Sequence, residues 1–119
     1  MEKTEEDKER EERIYNDIIV DAYGDEEQAV GWQTYLQDTL QFPFKAKCIK
    51  ALATSPLLKN EKVKVLRIAD MELCYHAMFV EIAWQNRLLT VPLEQLLPVD
   101  SDEETVEAVQ DWHYWVGRG

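Results

Sequence analysis

At Phe42-Pro43 the hydrophobic period of the chain changes, and no other feature restricts its fold as much. Before that point apolar residues recur at helical spacing. From Phe44 onward they alternate with lysines, the period of a strand with one wet face. The residue before a proline disfavours the right-handed helical region, so the preceding helix has to stop there. After Val99 the period returns to that of a helix. Two N-terminal helices, a run of short strands and one C-terminal helix define an α+β chain. Its 119 residues fit a single domain, 1–119, with 1–11 as a frayed charged extension.

The first helix is marked by Ile14, Ile18, Ile19, Ala22 and Tyr23. Residues 2–13 are almost all charged, so they can support a helix through Glu–Lys and Glu–Arg pairs but have nothing to bury. Gly24 is placed to terminate this helix, Asp25 to cap the next, and Gln28 to complete a capping box. In the second helix Ala29, Trp32, Leu36 and Leu40 form the buried face. Gly31 weakens that helix, which predicts a close neighbour.

Phe44, Ala46 and Cys48 alternate with Lys45 and Lys47 in the first strand. Val63 and Val65 alternate with Lys62 and Lys64 in the second, with a bulge at Leu66-Arg67. Met78 to Trp84 form a third strand, Gln85-Asn86-Arg87 a turn, and Leu89 to Val91 a fourth. A single helical turn follows at 92–96, then a last strand at Leu97-Pro98-Val99. This rhythm predicts a small antiparallel barrel of SH3-like type. Ser101 or Asp102 caps the final helix, whose expected stripe is Val106, Val109, Trp112, His113 and Val116.

The formal charge is −11, and its distribution is uneven. Residues 1–40 carry −9, residues 41–99 carry +3, and residues 100–119 carry −5. Nucleic acids and anionic membranes need cationic surface, so neither is an expected partner. No apolar run approaches the ~20 residues that span a bilayer, and the charged N-terminus is no secretory signal. The expected compartment is the cytoplasm, where Cys48 and Cys74 read as reduced, buried thiols.

Catalytic constellations are missing. Neither histidine stands in a triad context, and four scattered glycines form no phosphate loop. The chain therefore reads as no enzyme. Cys48, Cys74, His76 and His113 do not follow a standard zinc spacing. The aromatic run Trp112-His113-Tyr114-Trp115 reads as core packing.

Carboxylates remain, and they suit a hard cation such as Ca²⁺, which takes six to eight oxygens. The EF-hand pattern fails everywhere. Glu27 and Asp38 are separated by about 16 Å of helix, so the acids of the second helix divide into about two sites. One is the hinge, with Asp21, Asp25 and Glu26. The other is centred on Asp38, which stands in the last helical turn, where the helix dipole disfavours an acid and no base lies nearby in sequence. Asp100, Asp102 and Glu103, in the acidic run 100–104, are its densest source of further oxygens. Asp70 and Glu72 come next. Helix capping and solvation account for the same acids equally well at this level.

Taken together, ERIYNDIIVDAYG, GWQTYLQDTLQFPFKAKC, MFVEIAWQNRLLTVPLEQL and EAVQDWHYWVGRG resemble the cyanobacterial calcium-binding protein family, CcbP. The resemblance runs from about Glu12 to Gly119. It implies an acidic, non-EF-hand, non-enzymatic Ca²⁺-binding protein associated with calcium control during heterocyst differentiation, with Asp38 at a family acidic position. The expected function is sequestration or buffering of cytoplasmic Ca²⁺ by a monomer. The competing expectation is an SH3-like interaction module with an acidic surface and no specific ion.

Overall fold

The computed structural model describes residues 5–117, with side chains described from Lys8. Of the expected frayed extension, residues 1–4 lie outside the described residues. Helix α1 (Glu5–Arg13) is formed and passes into a wide π turn at Ile14–Ile18, closed by the Ile19 N–H on the Ile14 carbonyl at 3.0 Å. The helix does not reach Gly24. Asp21 turns the chain in the left-handed region at φ 56°, so Ala22 and Tyr23 leave the helical stripe and Tyr23 is 87% exposed. Helix α2 follows at Asp25–Thr39.

Close packing explains both the site of the π turn and the glycine of α2. A Cβ built on Gly31 would lie 2.5 Å from the Ile18 carbonyl oxygen, so only glycine lets α2 pass at this distance. The expected buried face of α2 is formed, with Ala29, Trp32, Leu36 and Leu40 all in the core. Trp32 meets Trp112 edge-on, with ring centroids 5.1 Å apart.

Five strands follow: β1 (Phe44–Cys48), β2 (Lys62–Ile68), β3 (Phe79–Trp84), β4 (Arg87–Pro92) and β5 (Leu96–Val99). Their hydrogen-bonded order is β4-β3-β2-β1-β5, every pair antiparallel. The sheet is not closed, so the expected SH3-like barrel becomes an open five-stranded sheet. Its two edges, β4 and β5, carry Pro92 and Pro98, which have no N–H to give to a further ladder. The predicted bulge lies between Val65 and Arg67. It shifts the phase by one residue, so that Ile68 faces the core with Val63 and Val65. Gln85 and Asn86, both at positive φ, make the tight β3–β4 hairpin.

Helix α3 (Glu103–Gly117) returns along the molecule. Its buried face is rotated from the expected stripe. Thr105, Ala108, Val109, Asp111 and Trp112 point inward, while Val106 and His113 are half-buried and Val116 is exposed. The polar anchors Thr105 and Asp111 set this rotation: Asp111 bonds Arg13 of α1 and Tyr35 of α2, and Thr105 bonds Gln41 in the segment after α2.

Candidate metal centre

The acids singled out by sequence stand at the two ends of α2. At its N-terminus Asp21, Asp25 and Glu26 are exposed. Gly24, not Asp25, is the N-cap, and no side chain caps the helix from that position. The expected Asp25–Gln28 capping box is absent. Glu27 takes the reciprocal part instead, accepting the Tyr23 N–H at 3.2 Å, while Gln28 Nε2 donates to the Ala22 carbonyl at 3.5 Å. With an unconstrained glycine at the cap, Asp25 becomes the first helical residue and its carboxylate faces solvent.

At the C-terminus of α2, Asp38 is exposed, and the last turn holds no basic residue. Lys45 and Lys47, the nearest bases in sequence, form none of the ion pairs found among the described residues. The helix stops because the Gln41 N–H leaves the i→i−4 ladder. It donates to the Thr105 hydroxyl of α3 at 3.0 Å, which leaves the Gln37 carbonyl without its helical donor. Thr105 is held from the other side too. Its own N–H donates to Asp102 Oδ2 at 3.0 Å, so Asp102 is the N-cap of α3. Bonds from the Thr105 side chain and backbone hold the Asp102 carboxyl below its ordinary pKa. Ser101 serves otherwise, donating to the Val99 carbonyl at 3.4 Å.

Thr105 thus joins the negative end of α2 to the acidic start of α3. A depression of about 580 Å³ at this junction is lined by Gln41, Asp102, Glu103 and Glu104. Asp38 and Asp100 are not among its lining residues. Asp100 sits in the left-handed region at φ 53° and lines a groove with Lys45, Lys62 and Lys64. Asp70 and Glu72 are exposed at the short turn before β3.

Among the described residues, no three His, Cys, Asp or Glu side chains form a ready cluster for a metal ion. The donor chemistry still suits calcium: exposed carboxylates beside unbonded helix-end carbonyls are hard oxygens. One or two carboxylates would supply the charge, with carbonyls and water filling the remaining positions. Three of the four softer candidates, Cys48, Cys74 and His113, are engaged elsewhere, while His76 is exposed. Both cysteines are free and buried, with Cys48 Sγ donating to the Lys50 carbonyl at 3.1 Å. Burial pushes the Cys74 thiol up. His113 bonds the Leu96 carbonyl at 2.7 Å, and its burial lowers the imidazole pKa.

One carboxylate escaped sequence reasoning. Asp111 is fully buried on α3. It accepts from Arg13 at 2.5 Å and from the Tyr35 hydroxyl at 2.9 Å, and Arg10 Nε lies 3.0 Å away. Burial pushes the Asp111 carboxyl up against the pull of these donors. Burial and the adjacent Asp111 charge push the Tyr35 hydroxyl up as well. The cation that joins the acidic ends of the chain is therefore its own Arg10–Arg13 pair. The available signal was a lone acid within an apolar helical face, one residue before Trp112.

Fold and site together define an acidic α+β protein whose open sheet is covered by helices with carboxylate-rich ends. The CcbP family model, described as calcium binding, matches residues 12–116. The chain belongs to this family. A search of curated proteins finds no match. Two solved structures are similar. Anabaena CcbP is 40% identical with a TM-score of 0.83, over 98% of this chain and 95% of that one. A calcium-binding protein in its calcium-binding form is 40% identical with a TM-score of 0.86, over 100% of this chain and 98% of that one.

Proposed function

We propose that this chain, as one non-catalytic domain, binds Ca²⁺ through carboxylates at the two ends of α2 and acts as a cytoplasmic calcium buffer. The observation that carries the reading is the Gln41–Thr105 bond. It ties the segment that follows α2, three residues beyond Asp38, to the start of α3, next to a depression lined by Asp102 and Glu103, and this supports the reading in a chain of a calcium-binding family. Asp38 is the central ligand of the first site, with Asp102 and Glu103 as its partners and Asp100 as the more distant donor. Asp21, Asp25 and Glu26 form a second, weaker site at the hinge. Sites without a dedicated loop bind roughly in the micromolar to millimolar range. The monomer is the acting form, and heterocyst calcium signalling is the setting that the family resemblance suggests.

Calorimetric titration of the chelated protein with Ca²⁺ and then Mg²⁺ tests the reading. Calcium heat that saturates and exceeds that of magnesium is expected. Absent or Mg²⁺-equivalent heat overturns it.

A further inference from the structure

The outward face of the sheet carries the opposite charge from the helices. Lys45 stands directly across from Lys64, and Lys47 directly across from Lys62. Ala46, Val63 and Val65 alternate with them and are buried, so all four lysines share the outer face. Standard sheet spacings make this a rectangle of about 5 by 7 Å. The bases in ion pairs among the described residues are Arg10, Arg13, Lys50 and Arg67, and none of the four is one of them. Asp100 lines the neighbouring groove without forming a pair.

Like charges placed directly opposite one another destabilise a sheet. Two ordinary reasons for surface lysines do not apply. Lysines protect sheet edges from pairing, but β1 and β2 are interior strands. Nor does a chain at −11 need added lysines for solubility. A groove of about 580 Å³ runs beside them, lined by Pro43, Phe44 and Val99 together with Lys45, Lys62 and Lys64.

We propose that this lysine face docks an acidic segment of a partner protein. Alternate residues of an extended strand repeat at about 7 Å, matching the Lys45–Lys47 and Lys62–Lys64 intervals. Pro43 and Val99 offer apolar contact to residues between the acids. Single-stranded nucleic acid fits less well. It needs aromatic stacking surfaces, and the residues facing the lysines on β3 and β5 are Ala83, Val99 and Leu97. A second copy could offer its acidic helices. That contact would be heterologous and would build rings or open chains of copies.

The intact protein in EDTA is titrated into a fluorescein-labelled peptide of alternating Glu and Thr, read by anisotropy at low and high salt. Wild type is expected to bind, more weakly as salt rises. Lys45→Gln/Lys64→Gln should weaken binding roughly tenfold or more. The charge-matched Lys8→Gln/Lys59→Gln control should bind like wild type, and the thermal midpoint of the sheet variant should not fall. Equal binding by wild type and sheet variant overturns the proposal, as does a fall in midpoint, which would mark the lysines as structural. Single-stranded DNA that outcompetes the peptide would overturn the choice of partner. Concentration-dependent self-association in sedimentation, abolished by the sheet variant, would overturn it too.

Discussion

Asp111 and Asp38 are both carboxylates on helices at the acidic surface layer, and the protein treats them in opposite ways. Asp111 is buried and surrounded by Arg10, Arg13 and Tyr35. Asp38 is exposed at the wrong end of a helix dipole, and no base among the described residues pairs with it. The first region satisfies its charge internally and belongs to the fold. The second leaves its charge open to an external cation. Acidic content alone therefore says little about where calcium binds. What separates a structural acid from a candidate ligand is whether the chain provides the countercharge itself.

The largest expected effect breaks the closed region. Asp111→Ala leaves two guanidiniums partly buried against α3 without their carboxylate. It should cost about 3 kcal/mol in urea unfolding, with calcium affinity unchanged wherever the protein remains folded. A loss of calcium binding in folded Asp111→Ala would erase the distinction between the two regions. A smaller effect is expected at Asp21, whose left-handed backbone strains a residue with a Cβ. Asp21→Ala should cost about 1 kcal/mol, and Asp21→Gly should not. Comparing calcium titrations of the two variants separates the carboxylate from the turn.

The sign of the pH response follows from His113. Burial holds its folded pKa below the unfolded value of about 6.5, so the unfolded chain takes up the proton first. Stability is full above that pH and falls as pH drops through it toward the folded pKa. His113→Gln should flatten the fall between pH 7.5 and 5.5 in urea midpoints. The smallest effect is at Asp38 in calcium-free protein. Removing an acid from a helix C-terminus should stabilise Asp38→Ala by about 0.5 kcal/mol in EDTA, the opposite sign from Asp111→Ala.

Local rules made most of the fold legible. Pro43 marked the helix–strand boundary, and the Leu66-Arg67 bulge showed as a break in an otherwise regular Val–Lys alternation. The Ala29–Leu40 face followed from helical spacing. Features set by distant partners were not legible. The rotation of α3 depends on Thr105 meeting Gln41 and on Asp111 meeting Arg13, contacts across about half the chain or more. Gly24 misled because a glycine permits a left-handed turn without requiring one, and Asp21 took that conformation instead. Charge bias pointed to the end of α2 as a place for a cation. The tertiary contact that brings Thr105 and its cap Asp102 to Gln41 lies beyond any local rule.

The most direct test of the account is the calcium-induced shift in thermal midpoint of wild type and Asp38→Ala, each measured in EDTA and at saturating Ca²⁺. Calcium that binds only the folded state raises stability by RT ln(1 + [L]/Kd), about 2.7 kcal/mol at a hundredfold excess over Kd. Wild type should show a clear rise and Asp38→Ala a much smaller one, starting from a slightly higher calcium-free midpoint. An equal rise in the two proteins would contradict this.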